Sequence, residues 1–521
     1  MLHYTPYQGT SPTITTNTGA ISIQLTALRP DEQHILQQAA RFFAAQHQQA
    51  YLTGGSVRDL LRHTPCTDWD IVTTGDAPRL ARQLANKLHG FYAHLHAKAS
   101  RVVCQHGDSR ITLDIAPLAG STIEEDLHLR DFTINAIALP LDAIISAEPC
   151  TPIDPLDGVA DLRASRLRAV RNDIFQRDPL RLLRAVRFMM RYNLSLDPTT
   201  EQMLTSDASL LTLSAPERIH DELYALLPPD GAAQRLRFLD QHHLFTTLLP
   251  EFIPARGMRQ PELHHWDVLE HSIETVTALE RLHSELQRPA HELPHSPLSG
   301  GETGDLVALQ SLLHEAEQQQ LFELAMLSTA PMKLAALLHD IGKPITRTVD
   351  EDGAIHFYHH PQAGVPLAQE IMKRLSTSAQ DRRLVQQVVA HHMRPGQLSG
   401  TPLTPRAIRR FFVDLGNTGI HVALISLADH LSMRGPLPLT EAWSRHLATV
   451  CLLLTRYIRE RNSILPPRII QSGELIRRFN LTPGPLIGQL LDHIAEAQAD
   501  GQIHSKDDAL WLAEEFLQKQ K

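Results

Sequence analysis

Asp68-Trp69-Asp70 sets two carboxylates at alternate positions at the head of the β-prone run Ile71-Val72. On a strand alternate side chains share a face, so this pair points one way. Just upstream, Gly54-Gly55 ends a short apolar run at a place where backbone can approach a ligand closely. A helix-like segment is expected to open at Ser56, and its free N–H groups can seat a phosphate. Two aspartates on one face beside such a turn suit a Mg²⁺ pair holding a nucleoside triphosphate. Gly-Gly alone is a turn and Asp-x-Asp alone is usually solvated; their order within one strand–turn–helix–strand unit is what points to chemistry. Asp114 lies inside the apolar run Ile111–Ile115, where an unpaired carboxylate is costly to bury. A third metal-facing position would remove that cost.

A second set of residues lies beyond position 265. His271 sits on an amphipathic helical pattern, His339-Asp340 interrupts the apolar run Leu337-Leu338, and His359-His360, His391-His392 and Asp429 follow. One histidine on an apolar helix is more often core than ligand. Adjacent His-Asp on such a helix is harder to dismiss, because both groups need partners when buried. The order His, His-Asp, His, His-His, Asp resembles the HD phosphohydrolase superfamily, whose imidazoles and carboxylates bind divalent metal that activates water. His271, His339, Asp340, His360, His391, His392 and Asp429 match its fuller, two-metal version. The spacing to Gly364 favours His360 over His359.

Between the two sets, Arg163 to Arg191 holds nine arginines and only two acids, Asp173 and Asp178. Arg181, Arg184, Arg187 and Arg191 follow helical steps on one face. Asp178-Pro179 reads as an N-cap followed by a first-turn proline. A planar guanidinium beside an acceptor carboxylate can read a base edge by hydrogen bonds.

The ordered motifs Gly-Gly-Ser-Val-Arg-Asp (54–59), Asp-x-Asp (68–70) and Arg-Asp-Phe-Thr-Ile-Asn-Ala (130–136) resemble the class II tRNA nucleotidyltransferase and bacterial poly(A) polymerase family. The resemblance covers about residues 30–515. It implies metal binding by Asp68 and Asp70, and the cost of burying Asp114 adds that residue as a third catalytic carboxylate. It implies nucleotide binding by Gly54, Gly55, Arg58, Asp59, Arg130, Asp131 and Asn135, with Gly55 and Arg58 on the triphosphate. The family selects CTP or ATP with a Glu-Asp-x-x-Arg helix. Asp178 and Arg181 match it, with Arg184 beside them, but Arg177 stands where Glu is expected. The turn at Lys98–Arg101 lacks the Gly-Arg-Arg-Phe-like mark of the poly(A) branch. A basic stretch at Arg456, Arg459 and Arg461 opens a segment resembling the family's tRNA-holding C-terminus.

At 521 residues the chain exceeds a single core, and its net charge of −9 leaves any nucleic-acid contact to local patches. Four scattered cysteines without a Cys-x-x-Cys pair argue against a disulfide frame or thiolate metal site. The first residues lack a signal-peptide pattern and no apolar run reaches membrane-spanning length, so a cytoplasmic protein without a membrane partner is expected.

The expected fold is α+β: a small mixed β-sheet head, a mostly helical neck, a helical HD domain and a helical tail. The expected divisions are a disordered tail (1–25), head (26–160), neck (161–260), HD domain (261–435) with a partly disordered insertion at 283–320, and a tRNA-binding end (436–521). The expected activity is addition of C and/or A to the tRNA 3′ end from CTP and ATP. Mg²⁺ would serve the head, and a transition metal or Mg²⁺ the HD site, with added phosphohydrolase activity. The rivals are a partial CC- or A-adding enzyme, a poly(A) polymerase, and an HD phosphohydrolase with an RNA-binding head.

Overall fold

The computed structural model describes residues 14–17, 20–23 and 28–519, apart from 67, 97–98, 108, 146–149, 229, 300–304, 401–402 and 500. Much of the expected N-terminal tail, Lys98 and Asp108 of the expected turns, and part of the 283–320 insertion lie outside these residues. The chain divides into two compact units, Met1–Ser214 and Ala215–Lys521. That division falls within the segment the sequence groups as a neck. Within the expected tail, Ile14–Asn17 and Ala20–Ile23 pair as antiparallel strands.

The first unit is built on six strands: β1 (Ala50–Thr53), β2 (Asp68–Thr73), β3 (Phe91–His96), β4 (Ala99–His106), β5 (Ser109–Pro117) and β6 (Ala138–Pro140). Their order is β3-β4-β5-β2-β1-β6, with β2 and β5 parallel and the other neighbours antiparallel. This is the mixed sheet expected, and the strand pair around Val102–Cys104 and Ile111–Ile115 forms as read. Trp69, Ile71, Leu113 and Ile115 are buried on one face, which leaves Asp68, Asp70 and Asp114 on the other. In the β2/β5 register Asp70 stands directly opposite Asp114.

Helix α1 (Gly54–Leu61) follows β1 without a connecting residue and so opens two positions earlier than Ser56. Helix α2 (Arg181–Tyr192) carries the arginines and buries Leu182, Leu183, Val186 and Phe188. Its N-cap is Leu180, not Asp178. A short helix, Ile174–Arg177, comes first and leaves Asp178 extended, so the local Asp-Pro signal yields to that extra turn.

The second unit is helical. Helices α3 (Val268–Leu286), α4 (Ala330–Leu338), α5 (His360–Arg374), α6 (Ala379–His391) and α7 (Thr418–Met433) pack on one another. Asp267 caps α3 by accepting from the Glu270 amide at 2.7 Å. In the expected insertion, residues 283–286 finish α3, and Asp305–Gln318 is a helix that buries Leu306, Leu309, Leu312 and Leu313. Three helices after residue 471 share a separate small core around Leu475, Leu490 and Ile494. Among the described residues no single helix is long and apolar enough to cross a membrane.

Candidate nucleotide cleft and metal centre

In the first unit a cleft of about 460 Å³ lies between the carboxylate face of the sheet and α2. Thr53, Gly54 and Gly55 form one side, Asp70 and Asp114 the base, and Arg130, Arg184, Arg187 and Arg191 much of the rest. Gly54 has φ +67°, and a Cβ there would lie 2.9 Å from Arg130 Nη1 and 3.2 Å from Asp70 Oδ2. Only glycine allows the backbone to turn so close to both side chains.

Burial pushes the Asp70 carboxyl up to about 6, against the pull of Arg130 and the Gly55 amide and with help from Asp114 and Asp68. A carboxylate raised by burial and by like charges is what a cation would relieve. Asp68 shares its face of the strand but is exposed, outside the cleft lining. Asp70 and Asp114, in register on adjacent strands, place two hard oxygen donors at the base of the cleft. Asp114 is not left unpaired as the sequence suggested. Arg101 grips both its oxygens, Nε to Oδ1 and Nη2 to Oδ2, each at 2.8 Å.

The Arg130–Asn135 stretch is held by side-chain bonds. Arg130 donates from Nε to Asp126 at 2.9 Å and from Nη2 to Thr53 Oγ1 at 2.9 Å. Asp131 Oδ1 accepts from Asn135 Nδ2 at 2.9 Å and from the Phe132 amide at 2.8 Å, while Oδ2 accepts from Arg184 Nη2 at 2.8 Å. Burial works against the Asp131 charge, yet Arg184 and Asn135 together hold its carboxyl below the usual range. Arg58 is buried, donating to Asp59 at 2.9 Å and to Asn135 Oδ1 at 2.7 Å.

Asp59, Asp178 and Arg181 do not line the cleft. Arg181 donates to the Leu129 carbonyl at 3.3 Å and stands 3.9 Å from Asp178. Arg177 donates to Asp173 at 2.6 Å. The arginine-rich stretch also has more acidic partners than its own sequence offers. Arg166 and Arg168 reach the buried Asp161, and Arg184 reaches Asp131. Thr53, Phe188 and Tyr192 line the cleft without having been singled out from sequence, whereas Arg187 and Arg191 lay on the arginine face already recognised.

In the second unit, His271 from α3, His339 and Asp340 following α4, His360 opening α5, His392 following α6 and Asp429 from α7 converge. His271 Nε2 is 3.1 Å from Asp429 Oδ1 and 3.4 Å from Asp340 Oδ2. His339 Nε2 is 3.1 Å from Asp340 Oδ2, and His360 Nε2 is 3.1 Å from Asp340 Oδ1. His360 and His392 bring their Nε2 atoms within 3.3 Å. His391 does not join this set; its ring is only half-buried. Adjacent helical residues point about 100° apart, so one of the two faces the centre. Of the adjacent pair, His360 is buried in the cluster and His359 is exposed.

The Nδ1 atoms of His339, His360 and His392 lie 2.7, 2.8 and 3.0 Å from the carbonyls of Ala336, Phe357 and Val389. A carbonyl only accepts, so each Nδ1 carries the proton and each Nε2 is turned to the centre as a lone-pair donor. His271 Nε2, His339 Nε2 and both Asp340 oxygens are buried and face only one another, their His/Asp neighbours and Lys343. That set of imidazole and carboxylate donors fits a divalent metal ion. Burial opposes charge on His339, but Asp340 and Asp429 hold its pKa at about 10, so a proton competes with a cation for this ring. Lys343, unremarked in the sequence, brings Nζ within 2.5 Å of Asp340 Oδ2 and donates to Gln260 at 2.7 Å.

Known families match these same regions. The poly(A) polymerase head domain matches residues 50–168, a probable RNA- and SrmB-binding site of polymerase A matches 193–256, and the HD domain matches 268–434. An A-adding tRNA nucleotidyltransferase of Deinococcus radiodurans is 30% identical over 466 residues, covering 88% of this chain and 94% of the relative. A CC-adding tRNA nucleotidyltransferase of Thermus thermophilus is 30% identical over 468 residues, covering 88% and 92%. A solved CCA-adding enzyme in an apo form shares the fold at a TM-score of 0.60 and 20% identity, covering 93% of this chain and 94% of that one.

Proposed function

Because the chain belongs to the tRNA nucleotidyltransferase and poly(A) polymerase family and carries an HD domain, we propose that it transfers CMP, AMP or both from CTP and ATP to the 3′ end of tRNA. The observation that carries this reading is the cleft, where two carboxylates in direct register face a glycine turn and an arginine wall. Asp68, Asp70 and Asp114 would hold Mg²⁺, which when bound acidifies the 3′-hydroxyl and offsets charge on departing pyrophosphate. The glycine turn at Gly54-Gly55 would let the triphosphate approach the backbone beside Arg130, since neither residue carries a side chain of its own. Arg130, Arg184, Arg187 and Arg191 neutralise phosphate and orient the nucleotide, while Asp131 and Asn135 present fixed hydrogen-bonding groups to it. The 3′-hydroxyl oxygen bonds to the α-phosphorus as the bond to pyrophosphate breaks.

Selection between CTP and ATP is assigned to α2 and the segment before it, with Asp178 and Arg181 as base readers although neither lines the cleft. Addition of only A or only CC is a live alternative, since the relatives from Deinococcus and Thermus are named for one or the other. The tie between Arg177 and Asp173 also takes the non-matching residue out of a simple base-reading role. Labelled CTP and ATP offered to tRNAs ending before C, after CC and after CCA separate full, partial and poly(A) addition. Asp70→Ala should abolish incorporation and leave tRNA binding largely intact.

A second activity is proposed for the His/Asp centre: metal-dependent hydrolysis of phosphoesters, supported by the buried imidazole and carboxylate donors that cluster there. His271, His339, Asp340, His360, His392 and Asp429 are the ligands in this reading. It predicts phosphatase or 2′,3′-cyclic phosphodiesterase activity that survives Asp70→Ala and is lost on Asp340→Ala. A cytoplasmic setting, where tRNA and nucleoside triphosphates meet, accords with both activities.

A further inference from the structure

His339, His360 and His392 each rest Nδ1 on the main-chain carbonyl three residues before them, but His271 does not. Its Nδ1 lies 3.2 Å from Ser432 Oγ, on α7, the helix that also brings Asp429. Ser432 Oγ in turn donates to the Asp429 carbonyl at 2.7 Å, the back-bond a helical serine often makes to its own turn. Thr275, one turn along α3 from His271, brings Oγ1 within 2.8 Å of the His271 carbonyl and 3.0 Å of Ser432 Oγ. His271, Thr275 and Ser432 are all buried, so protein groups must supply these bonds.

A hydroxyl has one proton to give and two lone pairs that accept. The Asp429 carbonyl can only accept and is the nearest of the three partners of Ser432, so the Ser432 proton goes there. The lone pairs that remain face Thr275 Oγ1 and His271 Nδ1, and His271 fills one of them with a proton on Nδ1. Its Nε2 then turns a lone pair between Asp429 Oδ1 at 3.1 Å and Asp340 Oδ2 at 3.4 Å. We infer that Ser432 is a positioning residue of the His/Asp centre: it fixes the ring and the tautomer of His271 so that Nε2 is free for a divalent metal. It also couples two ligands. Through one hydroxyl, the His271 ring on α3 and the Asp429 backbone on α7 are held in one register. Packing alone would be met by any side chain of that size, whereas the tautomer needs an acceptor at this point. This inference rests on the metal-binding reading of the centre and not on the hydrolysis proposed for it.

The test is calorimetric titration of the metal-stripped full chain with Co²⁺ alone, with Asp340→Ala identifying the binding event that belongs to this centre. Ser432→Ala should weaken that Kd at least about ten-fold, the scale of losing a group that orients a metal-binding imidazole. Ser432→Thr keeps the hydroxyl and should bind close to wild type. Ser432→Val has the shape of the threonine variant without its acceptor, and should bind as weakly as Ser432→Ala. A wild-type Kd in Ser432→Ala and Ser432→Val, or a folded Ser432→Thr chain as weak as Ser432→Val, would overturn the inference. If Ser432→Thr fails to fold, the Ser432→Ala titration decides alone, and an unchanged Kd overturns it. A wild type with no Co²⁺ event that Asp340→Ala removes rejects the metal reading and this inference together; wild-type binding kept in full by the Ala and Val variants rejects the inference only.

Discussion

Gly54 has no room for a methyl group: a Cβ would press on Arg130 and Asp70, and its φ of +67° disfavours any other residue. Gly54→Ala should therefore cut nucleotide incorporation at least about a hundred-fold, the usual scale for misplaced groups at a reacting centre. Asp70 carries a cost of a different kind. Burial raises its carboxyl from 3.8 to about 6, so the folded protein takes up a proton there that the unfolded chain has already lost. The resulting penalty is absent below the unfolded pKa, grows as pH rises from 3.8 to about 6, and is constant above that. Asp70→Asn should thus stabilise the metal-free protein at pH 7 by roughly 1–3 kcal/mol while abolishing incorporation, with the gain vanishing near pH 4 in thermal melts. By the same proton competition, the Mg²⁺ needed for half-maximal incorporation should rise about ten-fold per pH unit below about 6. At this scale the sequence showed the carboxylates and the glycine turn, because both are local patterns. It could not show Arg101 on Asp114 or Arg184 on Asp131, since those pairings depend on strand register and on a helix that arrives some fifty residues later.

Strands and helices carry these residues by simple rules. Alternation put Trp69 and Ile71 in the core, and so fixed the face on which Asp68 and Asp70 stand. The start of α2 was harder to read, because Asp178-Pro179 looks like a cap while an extra turn at Ile174–Arg177 displaces it. In sequence both His391 and His392 read as ligands, whereas the rotation at the end of α6 brings only His392 into the cluster. Tight helix contact also matters at the metal centre. A Cβ at Gly342 would lie 2.1 Å from the His360 carbonyl and 2.6 Å from the Gly364 amide, all backbone. Gly342→Ala must therefore push the start of α5, and with it His360, away from Asp340. The expected cost is about 2–4 kcal/mol in thermal or urea melts, with loss of metal-dependent hydrolysis and retention of nucleotide incorporation.

For the whole molecule, the cleft lies in one compact unit and the His/Asp centre in the other. Removing tightly held metal with a chelator should lower the thermal midpoint, since a ligand that binds only the folded state at a hundred times its Kd contributes about 2.7 kcal/mol. Asp340→Asn should be blind to that treatment at the His/Asp centre. In the proposed function the cleft of Asp70, Asp114 and the glycine turn adds nucleotides to tRNA. Its most direct test measures labelled CMP and AMP incorporation into tRNA ending before the terminal CCA, comparing the wild-type chain with Asp70→Ala. Incorporation by the wild type and none by the variant, with tRNA affinity preserved, is the predicted result; undiminished incorporation by Asp70→Ala would contradict it.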